Sequence, residues 1–415
     1  MTRKFSLAVA TALVLAWPLS AVAPTVKPEE VGFSSERLNR VTDLLQRHIA
    51  AGGTSGAVTL VARHGRIAQL EALGVQDLES RKPMQKDTIF RIMSMTKPIV
   101  TASILMMIEE GKVRLTDPVS RFVPALKELT VAVPRAGGGA DAPFDTVAAA
   151  REITVRDLLT HTSGLVSGPI STREARKVAL TGRETLADYI PRLARVPLEF
   201  QPGTRWSYSP QAGFDVLARI VEITSGQPFD RFTRERIFDP LAMKDTFFYP
   251  ADGNPRIVTR YDASPSGLQK ATNPGFMNGA YFSGGGGLMS TAEDYLQFAQ
   301  MLLNGGELDG RRLLSPASIE RMSAVVAPDT LPGRPRGESY GLGVRVVSDP
   351  VEFNSFLSKG TYGWSGAYGT HFFIDPKEKI VAVLMTQTPS QPFRRDWESA
   401  VMHALVGGGA VRGTN

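Results

Sequence analysis

Two residues three apart carry the first chemical possibility in this 415-residue chain: Ser94 and Lys97, an S-x-x-K pair within Phe90-Arg91-Ile92-Met93-Ser94-Met95-Thr96-Lys97-Pro98. On a helix, side chains three apart share a face with about 5–6 Å between their Cβ atoms, so a lysine amine reaches a serine hydroxyl and a nucleophile stands beside a base. Pro98 helps to place the pair, because proline is tolerated in the first helical turn, where its missing N–H has no partner anyway. The helix start then falls near residues 93–95, and Ser94 sits where orphan N–H groups and the positive end of the macrodipole favour a developing oxyanion. The same proline biases Lys97 away from helical angles. Ile99, Val100, Ile104, Leu105, Met107 and Ile108, in a run that stops at Gly111, leave almost no polar face and predict a helix buried all round. Taken alone, S-x-x-K also describes a capping serine beside an exposed lysine.

A base for Ser94 needs a pKa brought towards neutrality, which a lysine reaches by burial or beside another cation, and a phenolate can share the task. Tyr208, in the turn Pro202-Gly203-Thr204-Arg205-Trp206-Ser207-Tyr208-Ser209, is the candidate phenol. Tyr362-Gly363-Trp364-Ser365-Gly366-Ala367 precedes a strand pattern, and its glycines let backbone approach a ligand, so the Ala367 N–H can join the Ser94 N–H as an oxyanion hole. A rival nucleophile is Ser339, since Gly337-Glu338-Ser339-Tyr340-Gly341 fits G-x-S-x-G. That elbow needs a strand before and a helix after, whereas a Pro/Gly loop precedes it here and strand-like residues 342–347 follow. His161 and Ser163, two apart, do not share a helix face and read as a helix C-terminal turn. His64, at a hairpin turn, reads as structural. The run Gly284-Gly285-Gly286-Gly287 lacks the lysine of a phosphate-binding loop and reads as a close backbone approach or a flexible rim.

Ser94-Met95-Thr96-Lys97, Tyr208-Ser209-Pro210 and Trp364-Ser365-Gly366, with Leu158-Leu159-Thr160-His161-Thr162-Ser163-Gly164-Leu165 and residues 284–291 as flanks, together resemble the serine β-lactamase and penicillin-binding protein superfamily. The resemblance is specifically to the family VIII carboxylesterases, which share the class C β-lactamase fold, and it spans nearly the whole chain after the N-terminal segment. It implies Ser94 as nucleophile, Lys97 and Tyr208 as the base system, the Ser94 and Ala367 amides as oxyanion donors, and Trp364, Ser365 and Gly366 beside the substrate. An acyl-enzyme hydrolysed by water follows; whether Lys97 or Tyr208 is the principal base stays open. Two departures bear on substrate. Pro210 stands where class C enzymes have the asparagine of Tyr-x-Asn and offers no side-chain amide, and Trp364 replaces the lysine of Lys-Thr-Gly. An uncharged, more apolar site is therefore expected, suited to small-molecule, short- to medium-chain neutral esters. β-Lactamase, D-amino peptidase or acyltransferase activity, or a non-catalytic penicillin-binding-like module, are the alternatives within the fold.

The elements that must position these residues follow from periodicity. Leu38, Val41, Leu44, Leu45 and Ile49 predict an amphipathic helix over 34–51; residues 57–62 and 67–70 predict a hairpin; helical patterns recur at 151–159, 214–224, 229–238 and 291–303; residues 340–347, 370–374 and 380–386 read as strands, and 394–405 as a closing helix. No strand pattern is read between 99 and 250. The expected fold is α+β and β-lactamase-like: an antiparallel sheet flanked by terminal helices, formed by 28–98 and 275–415, with an inserted all-helical domain at 99–274 and the active site at their interface. A loop around Gly137-Gly138-Gly139 reads as a flexible insertion. Arg3 and Lys4 before an apolar stretch, then Ala21-Val22-Ala23, predict a signal peptide over 1–23 and export to a periplasm, with a cytoplasmic protein as the alternative if the segment stays uncleaved. That stretch is too short for a membrane span, so no stable span is expected after processing. Composition is ordinary, with 42% hydrophobic and 21% charged residues, and the net charge of +6 is scattered, against nucleic-acid binding. Cysteine is absent, which excludes disulfides and thiol chemistry, and the five histidines show no metal-ligand spacing, so neither metal nor organic cofactor is indicated. Oligomeric state is left open.

Overall fold

Two strands of the central sheet, Gly56–Arg63 (β1) and Ile380–Met385 (β8), are buried at every position because the sheet is covered on both faces. The computed structural model describes residues 23–135, 143–250, 253–272, 276 and 279–407. All but the last residue of the signal-like segment and the loop around Gly137-Gly138-Gly139 lie outside the described residues. The other strands of the main sheet are Arg66–Asp77 (β2), Lys82–Pro83 (β3), Glu338–Tyr340 (β4), Arg345–Val347 (β5), Tyr362–Ser365 (β6) and His371–Asp375 (β7). Their order is β4-β5-β6-β7-β8-β1-β2-β3, antiparallel throughout.

Alternation assigns the two faces. Ala57 and Val61 of β1, with Ala382 and Leu384 of β8, join Leu38, Val41 and Leu45 of helix Ser35–Ala50 (α1) and Trp397 and Val401 of the C-terminal helix Gln391–His403 in one apolar cluster. Ser34 caps α1 by accepting the Arg37 N–H at 3.3 Å. Trp397 donates its indole N–H to Thr59 Oγ1 at 3.0 Å, satisfying a polar side chain of β1 on that face. Val58, Leu60, Val381 and Val383 face the other way, into a larger cluster with helix Thr96–Glu109 (α2). Every residue of α2 from 96 to 107 is buried, as its unbroken apolar pattern predicts. A 3-10 turn, Met93–Met95, precedes it, Pro98 is its third residue, and Gly111 (φ 73°) follows its end.

The expectation of an all-helical region between 99 and 274 is corrected. Thr130–Pro134 pairs antiparallel with Phe144–Ala148, and Tyr261–Ser264 with Gly267–Lys270. Both hairpins sit outside the main sheet and carry few buried apolar side chains, so the alternation that betrays a half-buried strand is missing; the first is anchored instead by long-range pairing, Ala132 N–H to Leu198 O at 2.9 Å. Nor is residue 98/99 a seam, since α2 packs in one cluster with β1 and with Phe214, Val216 and Leu217 of helix Ala212–Ser225 (α3). The single strand expected over 340–347 is two short ones broken at residues 341–344.

Ser339 lies within β4, opposite Val346, and a turn into β5 rather than a helix follows it, so the elbow geometry is absent. Ile104, fully buried in α2, tests the shared core: Ile104→Ala should lower the unfolding free energy by about 2–5 kcal/mol, read from urea denaturation.

Candidate active site

Lys97, three residues on, and Tyr208, far away in sequence, converge on the hydroxyl oxygen of Ser94. Ser94 lies in the 3-10 turn at the head of α2, 8% exposed, and its Oγ is 3.0 Å from Lys97 Nζ and 2.7 Å from the Tyr208 hydroxyl. Lys97 is fully buried, and its Nζ also meets two backbone carbonyls, Pro210 O and Gly285 O, each at 2.7 Å. Carbonyl oxygens only accept, so two N–H bonds of Lys97 are committed to them. The third tetrahedral direction of Nζ points at Ser94 Oγ. A neutral amine presents a lone pair there; an ammonium presents a proton. Both proton states therefore fit without rearrangement, the condition for a base that receives the serine proton.

The carbonyl of Gly285 is held by a buried carboxylate behind it. Asp215, on α3, accepts the Gly285 N–H at 2.8 Å and the Ser283 and Tyr281 hydroxyls at 2.7 Å each. Burial raises the Asp215 carboxyl above its ordinary range, while these three donors and Lys97 act in the opposite direction. The glycine run is a close backbone approach: a Cβ at Gly285 would stand 2.6 Å from Gln211 Cα.

Strand β6 supplies the other wall. A Cβ on Gly366 would lie 2.3 Å from Ile92 O, and the Thr370 hydroxyl donates to that same carbonyl at 3.1 Å, which binds the end of β6 to the residues before Ser94. Neither the Ser94 N–H nor the exposed Ala367 N–H has an acceptor among the described residues. Trp364 packs 5.5 Å from the Tyr208 ring and 5.2 Å from Tyr340. Ser94, Trp206, Tyr208, Trp364, Ser365 and Ala367 line a cavity of about 350 Å³. A larger cavity, about 660 Å³, lies elsewhere, between Pro24, His64, Gln297 and Lys379, and contains no nucleophile beside a base.

The expectation of an uncharged site is corrected. Glu338, Arg345 and Arg394 also line the active-site cavity. Arg394 donates to Ser365 Oγ at 2.8 Å, Ser365 Oγ is 2.8 Å from His371 Nδ1, and Glu398 lies 2.8 Å from both His371 Nε2 and Arg345. Arg334 pairs with Glu338 at 2.8 Å. Arg394 is left without a carboxylate partner among the described residues, so three arginines meet two carboxylates and the floor of the cleft carries an excess cation. Burial, then Arg345, depresses Arg394 to about 10. From sequence, a basic residue on a terminal amphipathic helix reads as solvated, so Arg394 gave no signal; Arg345 and Glu338 sit in strands too short to show a face.

His161, read as part of a helix-end turn, is in fact buried against Tyr208, 4.7 Å between ring centroids. Asp215 was likewise not singled out; a lone acidic residue within an apolar helix face was its one available signal. Among the described residues no three His, Cys, Asp or Glu side chains converge as a metal site would, and no helix is long and apolar enough to cross a membrane.

The family described as Beta-lactamase matches residues 41–405. Among related proteins, an uncharacterized protein of Mycobacterium tuberculosis is 38% identical over 362 residues, covering 81% of this chain and 86% of that one. Esterase EstB of Burkholderia gladioli is 32% identical over 399 residues, covering 89% and 94%. The solved structure of EstCE1, described as a hydrolase with promiscuous acyltransferase activity, superposes with a TM-score of 0.74 at 28% identity, covering 89% of this chain and 98% of that one.

The buried ionic floor makes stability depend on pH. Burial lowers His371 to about 4, against the pull of Glu398. Burial works to raise the Glu398 carboxyl, but Arg345 and His371 outweigh it and hold it well below the usual carboxylate range. As pH falls from 6.5 to 4 the unfolded imidazole takes a proton that the native ring refuses, so stability falls across that window, and it falls further as Glu398 resists protonation below its unfolded value. Urea denaturation at stepped pH should show a monotonic loss from pH 7 to 4, and His371→Gln should flatten the slope by up to one proton.

Proposed function

The chain belongs to the beta-lactamase family, as a serine hydrolase of that fold, and within it we propose that it is a carboxylesterase cleaving short- to medium-chain esters through an acyl-enzyme on Ser94. The observation that carries this reading is the convergence of Lys97 and Tyr208 on Ser94 Oγ at 3.0 and 2.7 Å within a cavity walled by Trp206 and Trp364. As Oγ attacks the ester carbonyl, its proton passes to the Lys97 amine, already oriented by Pro210 O and Gly285 O. The displaced π pair becomes an oxyanion facing the Ser94 and Ala367 N–H groups, both without an acceptor among the described residues. Collapse reforms the carbonyl and expels the alkoxide. Tyr208, whose hydroxyl stands 2.7 Å from Ser94 Oγ, is placed to protonate that alkoxide, its phenolate then taking the proton of the attacking water while Lys97 returns its proton to Ser94 Oγ. Water then attacks the acyl-enzyme by the reverse proton path and releases the acid and free Ser94.

EstB, 32% identical, is named an esterase, and EstCE1 is described as a hydrolase with promiscuous acyltransferase activity; the first of these supports the ester class. The side-chain amide of Tyr-x-Asn is absent, Pro210 standing in its place.

The decisive measurement is a panel of p-nitrophenyl esters of increasing acyl length run beside a chromogenic cephalosporin and a D-Ala-D-Ala peptide. Ester kcat/KM should exceed the other two by at least about tenfold. Ser94→Ala should remove about 10³-fold or more of ester turnover and all covalent labelling by a fluorophosphonate. Ser339→Ala should retain turnover within about threefold; the opposite pattern overturns the assignment.

A second reading is favoured by Arg394 alone: substrates whose acyl or alcohol part carries a carboxylate. A charge-assisted hydrogen bond is worth roughly 1.5–3 kcal/mol, about 10- to 100-fold in affinity. Esters paired with and without a free carboxylate should then differ in kcat/KM in favour of the anion, and Arg394→Gln should abolish that ratio. A wild-type preference for the neutral member of every pair defeats this reading.

A further inference from the structure

We propose that His161 is a positioning residue for Tyr208: it grips the backbone on both sides of that tyrosine, and the aim of the phenol at Ser94 depends on the grip. The inference rests on the Ser94, Lys97 and Tyr208 reading above.

His161 touches the turn from two directions. Its backbone carbonyl accepts the Ser207 N–H at 3.0 Å, and its ring Nδ1 accepts the Ser209 N–H at 3.2 Å. Tyr208 is the residue between, and among the described residues its hydroxyl has one hydrogen bond, to Ser94 Oγ. The imidazole also packs edge-on against the Tyr208 ring, 4.7 Å between centroids at 63°. Phe214 and Tyr340 close around the same imidazole at 5.3 and 5.2 Å. One side chain thus sets the height of the turn through a hydrogen bond and the tilt of the phenol through ring contact.

Two features of His161 are unfavourable in themselves. Its backbone lies in the left-handed region, φ 58°, which side chains beyond glycine rarely occupy. Because Nδ1 accepts, the ring proton is on Nε2, and that buried N–H has no acceptor among the described residues. A leucine or phenylalanine would fill the same volume without an orphaned donor. What a hydrophobic side chain cannot supply is the acceptor for Ser209. Backbone strain and an unsatisfied group coinciding one contact away from the reacting oxygen are the pattern of a residue held for function. Burial, then Lys97 and Arg334, keeps His161 well below the ordinary histidine range, so Nδ1 remains an acceptor at neutral pH.

The geometry names its own conservative variant. Asparagine carries a carbonyl oxygen close to where Nδ1 stands and tolerates positive φ, whereas glutamine reaches towards the Nε2 position. In His161→Ala and His161→Gln, ester kcat should fall about 30-fold or more with KM changed less than about threefold, since displacing a catalytic group by roughly 1 Å costs about 10²-fold. His161→Asn should recover most of the loss. In a Tyr208→Phe background, judged by the rate of fluorophosphonate labelling, adding His161→Gln should cost less than about threefold more, because the histidine acts through the missing hydroxyl. Equal activity of His161→Asn and His161→Gln, or a full additional loss in the Tyr208→Phe background, overturns the proposal and leaves His161 a packing residue. If His161→Ala does not fold, the Asn and Gln pair decides. Persistence of labelling in Ser94→Ala would instead sink the parent reading, so the two failures are told apart.

Discussion

Burying the amine of Lys97 commits everything around it. A cation removed from water costs several kcal/mol unless its protons are all received, and no carboxylate lies within ion-pair distance of Lys97 among the described residues. The protein meets that demand with two carbonyls and the nucleophile itself. The carbonyls come from opposite sides, Pro210 O from the Tyr208 turn and Gly285 O from the glycine run, so both segments must sit at the head of α2 for the amine to be tolerated. Asp215 clamps the second by taking the Gly285 N–H.

The sheet serves the site by being immobile. Its central strands are covered on both faces, by α1 and the C-terminal helix on one side and by helix Ala292–Leu303 on the other, and β6 is anchored in the larger cluster through Tyr362. The end of β6 is tied to the backbone of Ile92 through Gly366 and Thr370, two residues before the nucleophile. The two unpartnered N–H groups therefore belong to segments fixed to each other rather than to independent loops. That is the preorganisation an oxyanion hole requires, since donors that must move at the moment of reaction lose most of their advantage.

The cleft divides by chemistry. Trp206, Tyr208 and Trp364 form an aromatic wall, while Arg345, Arg394, Glu338 and Glu398, with neutral His371, form an ionic floor. Replacement of a lysine by Trp364 in the strand motif did not empty the site of positive charge; the C-terminal helix supplies Arg394 from a different direction, through Ser365. Burial of this network is costly and is balanced by multiple ion pairs around each carboxylate, which is why its titration and the stability of the fold are linked.

What the sequence determined by itself was local or motif-borne. The S-x-x-K pair, the proline that starts α2, its all-round apolar pattern and the period-2 strands near the C-terminus each follow from spacing that a helix or strand must obey, and they agree with the structure. Three motifs in order were enough to indicate the β-lactamase-like fold and nearly the whole cleft lining on the Ser94, Tyr208 and Trp364 side. Tertiary structure alone decided the rest. The hairpin at 130–148 pairs through contacts distant in sequence and buries little, so it leaves no alternation to read. Arg394 is a cleft cation only because the C-terminal helix is docked so that its side chain meets Ser365 of β6, and His161 stands beneath Tyr208 only because a helix end and a turn nearly fifty residues later fold onto each other. A residue whose role is to hold another has no spacing rule of its own; its partner is chosen by the fold, and so is its function.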